Sequence, residues 1–148
     1  GSEMCIRDRS SRIAITKRIR RAILKRGKKS HVLELNDGNL DSIRSGTLAK
    51  AVAAGDKVTI KVIRRTAKYL GIGIASVVNF LNPEMIILGG GVVEALDDKF
   101  LDRIRKFAVA YALPNTMDGV EIATAKLGDD AGVIGASVLA RQHLVTTS

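Results

Sequence analysis

The chain has 148 residues, about the length of one domain and enough to bury a hydrophobic core. Apolar residues make up 46% of it and Trp is absent, so Ile, Val, Leu and Ala have to build that core. No apolar run approaches the ~20 residues that span a bilayer, and the N-terminus lacks the apolar stretch of a secretory signal. We therefore expect a cytoplasmic protein with no membrane partner.

The net charge of +9 is confined to the first segment of the chain. Residues 1–30 hold eleven of the 24 Lys and Arg residues, whereas residues 31–148 hold thirteen residues of each sign. Such a segment is either a basic arm or one solvated face of a helix. No aromatic side chain interleaves the cations of 17–29, as a stacking site for single-stranded nucleic acid would require. We expect a solvated helix face and no nucleic-acid partner.

The N-terminal third predicts a leader followed by short elements. Gly1-Ser2 resembles the remnant of a cleaved tag, and the next eight residues fit no periodic pattern, so residues 1–10 are interpreted as a leader. Ser11 is predicted to cap a helix whose apolar residues recur at mostly helical spacing. In chain order, the patterns predict that helix over 12–25, a strand or extended linker over 31–35, a turn over 36–39, one helical turn over 40–44, and a helix over 45–54 capped by Ser45.

The longest predicted helix follows, over 57–81, with Asp56 as its cap. From Leu70 onward it is apolar nearly all round, which is typical of a helix buried on all sides. Gly71 and Gly73 inside it would let another backbone approach closely.

The second half of the chain alternates strands and helices. It predicts a strand of the buried parallel type over 85–88, a helix over 97–112, a second strand over 119–125, a turn over 128–130, and a helix over 131–143 whose small residues suit tight packing. This order predicts α/β layering. Two strands are too few for a stable sheet with helices on it. We therefore expect a fragment of a larger α/β fold, or a chain that completes itself by oligomerising.

Three consecutive glycines, Gly89, Gly90 and Gly91, stand between a predicted strand and a helix-like pattern. Glycines at such a position let backbone N–H groups approach a phosphate or a nucleotide. The stretch matches neither GxGxxG nor GxxxxGK[ST], so a tight strand-to-helix turn is the alternative interpretation. The glycine-rich segment 127–136 likewise suits either a ligand turn or a helix cap.

Catalytic and metal sites have no candidates in the sequence. One cysteine, Cys5, and two scattered histidines, His31 and His143, form no metal-ligand pattern. No nucleophile is paired with a base, and no pair of carboxylates has an acid–base context. We assign no catalytic residue and no metal ligand.

Several stretches resemble the ROK family of sugar kinases and repressors, particularly its glucokinase-like members. They are residues 54–56 (AGD), 69–75 (YLGIGIA), 78–84 (VNFLNPE), 87–92 (ILGGGV) and 127–136 (LGDDAGVIGA). Residues 11–15 are similar to the helix that follows the family's zinc-binding segment. The resemblance covers residues 11–143 and follows the family's order.

The resemblance implies an α/β fold, namely a partial actin-like ATPase (ribonuclease H-like) fold, helix-rich with few strands. Residues 11–148 would be a C-terminal domain fragment of it. The family's phosphate loop, catalytic Asp segment and Cys-rich zinc motif have no counterpart here, so no catalytic residue or zinc ligand is carried over. By resemblance, Gly89, Gly90, Gly91 and Val92 would lie against the adenosine of ATP.

The implied whole protein is an ATP-dependent hexose kinase that uses Mg²⁺ and a carboxylate base to transfer a phosphoryl group to a sugar hydroxyl. This chain would be inactive alone. The alternative is the sugar-sensing and oligomerisation domain of a ROK-type transcriptional repressor. Either would be a homo-oligomer, because ROK proteins are commonly dimers or tetramers and truncation would expose apolar surface.

Overall fold

The computed structural model describes residues 9–96 and 98–146, with the backbone alone for residues 129 and 143–146. The helices are α1 (Arg12–Leu24), α2 (Val32–Leu35), α3 (Ser45–Ala53), α4 (Lys57–Leu81), α5 (Gly91–Ala95), α6 (Asp98–Tyr111) and α7 (Ala131–Thr146). The strands are β1 (Met85–Leu88) and β2 (Glu121–Thr124), and a 3₁₀ turn, Gly128–Asp130, precedes α7. The predicted α/β layering with two strands is confirmed.

The two strands form a parallel sheet in which Met85 lies opposite Glu121 and Leu88 opposite Thr124. Parallel strands need a long crossover, and here α5 and α6 provide it. One face of β1 packs partly against the core, but on the other face Ile87 is 64% exposed. The prediction of a fully buried strand is therefore wrong for that face, because no described helix covers it.

The core lies between α1, α3, α4 and α6 and is largely aliphatic, as the composition predicts, with Phe100 as a buried aromatic residue. Its most deeply buried side chains include Ile15, Ile19, Leu48, Ile63, Val78 and Ile104. Helices α4 and α6 make the largest contact in the molecule. A Cβ added to Gly71 would lie 2.4 Å from the Phe107 Cβ and 2.8 Å from the Ala108 backbone nitrogen. The close approach predicted at Gly71 is confirmed, and Gly73 is buried.

The last turns of α4 depart from the prediction of burial on all sides. Phe80 is 87% exposed, and Val77 and Leu81 are also exposed. Helix α6 packs against α4, but the side of α4 that carries Phe80 faces solvent. The residues 131–142 of α7 are exposed as well, so the tight packing predicted for this helix is absent among the described residues.

Residues 31–35 form a helical turn instead of the predicted strand or extended linker. The Leu35 N–H donates to the His31 carbonyl at 2.9 Å, which closes the turn of α2. The His31 N–H donates to the Asp56 carboxylate at 2.8 Å. That partner is 25 residues away, so the short alternating pattern could not reveal it.

Residues 40–44 are not helical, contrary to prediction. The Asn39 side-chain oxygen accepts the Asp41 N–H at 2.9 Å, and the Asn36 amide donates to the Ser42 carbonyl at 3.0 Å. These side chains satisfy the backbone groups that a helical turn would have paired. Leu40 and Ile43 are thereby placed in the core.

The helix ends mostly follow the predicted caps. The Ser11 hydroxyl accepts the Ala14 N–H at 3.3 Å, and the Asp56 carboxylate accepts the Thr59 N–H at 2.6 Å. Ser45 is the first residue of α3 rather than its cap, a position that Arg44 takes with an extended backbone. Helix α5 lies where a helix-like pattern follows the glycines; its bounds were not predicted, because five residues are too few to define them. None of the described helices combines the length and the apolar character needed to cross a bilayer.

Candidate functional site

The glycine turn lies where β1 ends, and its central residue needs to be glycine. Gly90 has φ 110° and ψ 150°. Residues other than glycine rarely adopt this backbone conformation. A Cβ added there would meet nothing within 4 Å. The requirement for glycine is therefore conformational, and the space beside Gly90 is open.

The neighbouring glycines fit between the ends of other elements. A Cβ on Gly89 would lie 3.4 Å from the Ala125 Cβ, just beyond β2, and a Cβ on Gly91 would lie 3.4 Å from the Ser45 hydroxyl at the start of α3. All three glycines are exposed, whereas Val92 is half-buried and packs against the core. The turn thus offers a bare backbone surface at the carboxyl edge of the sheet.

Glu94 belongs to this site, although sequence reasoning missed it. Its Oε1 accepts the Gly90 N–H at 3.2 Å. Its Oε2 lies 3.7 Å from the position of a Cβ added to Gly128. The carboxylate therefore lies between the two glycine-rich turns that the sequence singled out. An acidic residue one turn into a glycine-capped helix was the signal that could have identified it.

The position of Glu94 limits what the turn can bind. An N–H group at the start of a helix ordinarily attracts an anion, but here the protein's own carboxylate accepts it. A phosphate placed at the same point would be repelled by that negative charge. The exposed glycines can instead contact a flat, uncharged group, and the free lone pairs of Glu94 can accept hydrogen bonds from hydroxyl groups.

Asp56 is the one buried charged residue among the described side chains, and its role is structural. Burial alone raises the pKa of this carboxyl, but hydrogen bonds from Thr59, His31 and Ser30 outweigh burial and hold the pKa below its ordinary value. Through these hydrogen bonds the carboxylate caps the start of α4 and holds the α2 turn against it. The same contacts leave Asp56 without access to a substrate.

The remaining candidates from the sequence add no residue to the site at the glycine turn. The cations Lys17, Arg20 and Arg21 of α1 are exposed, as predicted for a solvated face. The His31 imidazole Nδ1 lies 3.8 Å from the Asp56 carboxylate. Within the described residues, no three His, Cys, Asp or Glu side chains are grouped so that they could hold a metal ion. Cys5 lies outside the described residues, as does most of the predicted leader.

Comparisons with known proteins agree on one family. The family model described as the ROK family matches residues 1–143. A glucokinase of Halalkalibacterium halodurans is 46% identical over 93 residues, which cover 63% of this chain and 28% of that protein. A xylose repressor of Caldicellulosiruptor bescii is 31% identical over 97 residues, covering 66% of this chain and 24% of that protein.

Solved structures give the same result. A ROK family glucokinase from Streptomyces griseus, in complex with glucose and AMPPNP, superposes with a TM-score of 0.80 at 30% identity. The superposition covers 96% of this chain and 46% of that one, so this chain spans less than half the length of the relatives described. The predicted fold class, a partial actin-like sugar-kinase fold, is confirmed.

Proposed function

The chain belongs to the ROK family, and we propose that it forms the adenosine-side wall of the ATP site in a glucokinase-type hexose kinase. One observation carries the proposal, namely the open turn of Gly89, Gly90 and Gly91 at the carboxyl edge of a parallel sheet. Ligands of open α/β sheets bind outside the carboxyl ends of the strands.

In this proposal each part of the nucleotide has its own contacts in the turn. The adenine base lies against the bare backbone of 89–91, because only glycines let a ring approach so closely. The ribose hydroxyls donate to Glu94, and the phosphates extend away from its negative charge. Val92 supports the turn from the core side. ATP thus fits the residues present, whereas we assign no ligand for Mg²⁺ or zinc among the described residues.

Phosphoryl transfer requires groups that we do not find among the described residues. In the proposed whole protein, a carboxylate base and Mg²⁺ act on a hexose hydroxyl and on the ATP phosphates. The glucokinase relative whose structure contains glucose and AMPPNP supports both ligands for the whole protein. We propose that this chain alone binds the adenosine part and does not phosphorylate glucose. Hexose-dependent ATP hydrolysis by the purified chain would contradict this.

Calorimetric titration with adenosine, AMPPNP and glucose tests the proposal. We expect adenosine and AMPPNP to bind within about threefold of each other, since the phosphates make few contacts with this wall, and we expect no binding of glucose. Gly90→Ala should weaken adenosine binding by roughly fivefold or more, because Ala strains the turn.

Gly119→Ala is the matched control for that variant. Gly119 also has a positive φ, of 79°, and open space around it, but it precedes β2 at the opposite edge of the sheet. Gly119→Ala should strain the backbone as Gly90→Ala does. Its affinity for adenosine should nevertheless equal that of the unmodified chain. If the two variants bind equally, or if the unmodified chain binds no adenosine, the assignment of the turn is wrong.

A ROK-type repressor remains the second candidate, supported by the likeness to the xylose repressor. A repressor's domain would sense sugar without needing a nucleotide. Saturable binding of xylose or glucose without adenosine binding would therefore favour the repressor. The open turn beside Glu94 favours the kinase, because a sugar sensor has no need of a bare backbone surface at this edge.

We also propose that the chain self-associates. Large apolar side chains are exposed on two elements that follow each other in the chain, Phe80 and Leu81 on α4 and Ile87 on β1. Exposed apolar surface can bind a partner when it forms a patch, and a second copy is the partner always present. Sedimentation velocity at increasing concentration should show a dimer or a larger species. A single monomer peak throughout would refute self-association.

A further inference from the structure

A cavity of about 200 Å³ lies between α1 and the loop of residues 40–43, away from the glycine turn. Its floor consists of Thr16, Leu40 and Ile43, all of which are buried. Three cations, Arg12, Lys17 and Arg20, and one carboxylate, that of Asp41, also line it. The cavity therefore combines a floor of two aliphatic side chains and one threonine with a rim whose charge is positive on balance.

The charge at the rim is not balanced by the protein. Arg20 is paired, since its Nη1 lies 2.8 Å from the Asp41 Oδ1. Neither Arg12 nor Lys17 forms an ion pair with a described carboxylate. Two basic residues that no described carboxylate pairs thus line the same cavity. Like charges held together favour an anion between them.

The loop that forms one wall is fixed before any ligand arrives. The Asn36 amide donates to the Ser42 carbonyl at 3.0 Å, and the Thr47 hydroxyl donates to the Asn36 side-chain oxygen at 3.2 Å. Leu40 and Ile43 anchor the loop in the core. A rigid wall reduces the entropy lost when a ligand binds, so weak individual contacts at the rim can add up to a site.

We propose that this cavity binds a small phosphate monoester. The rim guanidinium and ammonium groups bind the phosphoryl oxygens through charge-assisted hydrogen bonds. The hydroxyls of Thr16 and Ser42 supply further donors, and the apolar floor accepts the organic part. The phosphoryl group could come from inorganic phosphate or from a sugar phosphate of about the cavity's size. This proposal does not depend on the adenosine site.

Titration calorimetry at constant ionic strength distinguishes the sources, with inorganic phosphate, glucose 6-phosphate and glucose as probes. Arg12→Gln and Lys17→Gln each remove one rim charge, and both residues are exposed, so the variants should fold. Lys28→Gln and Lys29→Gln are the matched controls, because they remove the same charge from the same basic segment outside the cavity.

We expect saturable binding of a phosphate probe that weakens about fivefold in each rim variant and less than about twofold in each control. Tighter binding of glucose 6-phosphate than of inorganic phosphate would identify a sugar ester as the ligand. Equal binding would identify the phosphoryl group alone. The proposal is overturned if no phosphate probe saturates, if glucose binds as well as its phosphate, or if rim and control variants weaken binding alike.

Discussion

Helices α4 and α7 both contain glycines, but the two helices have opposite surroundings. A Cβ on Gly71 in α4 would come within 2.4 Å of the Phe107 Cβ and 2.9 Å of the Ile104 carbonyl oxygen in α6. A Cβ on Gly132 or Gly135 in α7 would meet nothing within 4 Å. The same residue type is a packing requirement in one helix and has no packing role within the described part of the other.

The difference extends to the large side chains of the two helices. Val62, Ile63 and Val78 of α4 are buried, whereas Val133, Val138 and Leu139 of α7 are exposed. A helix that is apolar on most sides is normally buried. Helix α7 thus has the apolar composition of a buried helix, but no described element buries it. An apolar sequence allows a helix to be buried, but the helix is buried only where another element packs against it.

The largest expected effect tests whether the α4–α6 pair carries the stability. Ile104 is fully buried in α6, whereas Leu139 in α7 is 60% exposed. Ile104→Ala should lower the free energy of unfolding by about 3 kcal/mol, through lost burial and the cavity left behind. Leu139→Ala should change it by less than about 0.5 kcal/mol. Urea unfolding measures both, and comparable losses would show that α7 is packed in solution.

A second test concerns the close approach itself. Gly71→Ala forces a methyl group against the Phe107 Cβ and the Ala108 backbone, neither of which is a flexible side-chain end. We expect a loss of about 2 kcal/mol in the free energy of unfolding, since overpacking outweighs the gain in helix propensity. Urea unfolding again gives the value. An unchanged or higher stability would mean that α4 and α6 lie further apart than described.

Acid should weaken the packed region through Asp56, whose folded-state pKa lies below its ordinary value. A carboxyl with a lowered folded pKa stabilises the protein above its unfolded pKa, and this stabilisation is lost as the pH falls through the folded pKa. Stability should therefore decline on acidification, and Asp56→Asn should remove part of that pH dependence. Chemical unfolding at several acidic pH values measures it.

Asp56→Ala measures how much the Asp56 carboxylate contributes to the free energy of unfolding at neutral pH. It removes the cap of α4 and leaves the His31 N–H without its partner. We expect a loss of about 1–2 kcal/mol. The control is Asp102→Ala, whose carboxylate forms an exposed ion pair with Arg105 and should contribute little. Equal losses in the two variants would refute the structural role given to Asp56.

Structural features that depend on neighbouring residues in the chain could be predicted from the sequence. The cap residues Ser11 and Asp56 lie beside the helices they begin, and Gly71 could be recognised as a packing position. Residues 31–35 and 40–44 were predicted wrongly because partners outside those segments, Asp56 and the two asparagines, determine their conformation. A pattern within a few residues cannot contain that information.

The candidate site shows the same limit. The triple glycine identified the turn, and Gly90 does adopt a backbone conformation that favours glycine. Glu94 was missed, because its function in the turn depends on folding back to the Gly90 N–H and on the proximity of Gly128. The exposure of the last turns of α4 was also predicted wrongly, since an apolar segment does not show whether another element covers it. The proximity of Gly128 to Glu94 and the open side of α4 both depend on segments far away in the chain, whereas the bond from Gly90 to Glu94 is local and could have been recognised.

The smallest expected effect is also the most direct test of α7. Gly135→Ala adds a methyl group in open space and should favour the helix by up to about 1 kcal/mol. Because α7 touches the remainder of the described structure mainly at the 3₁₀ turn, this gain should remain local. Amide hydrogen exchange should slow within α7 while the global unfolding transition stays in place. If α7 instead packs against a second copy, the added methyl group would shift the monomer–dimer equilibrium, and sedimentation of the variant would reveal that shift.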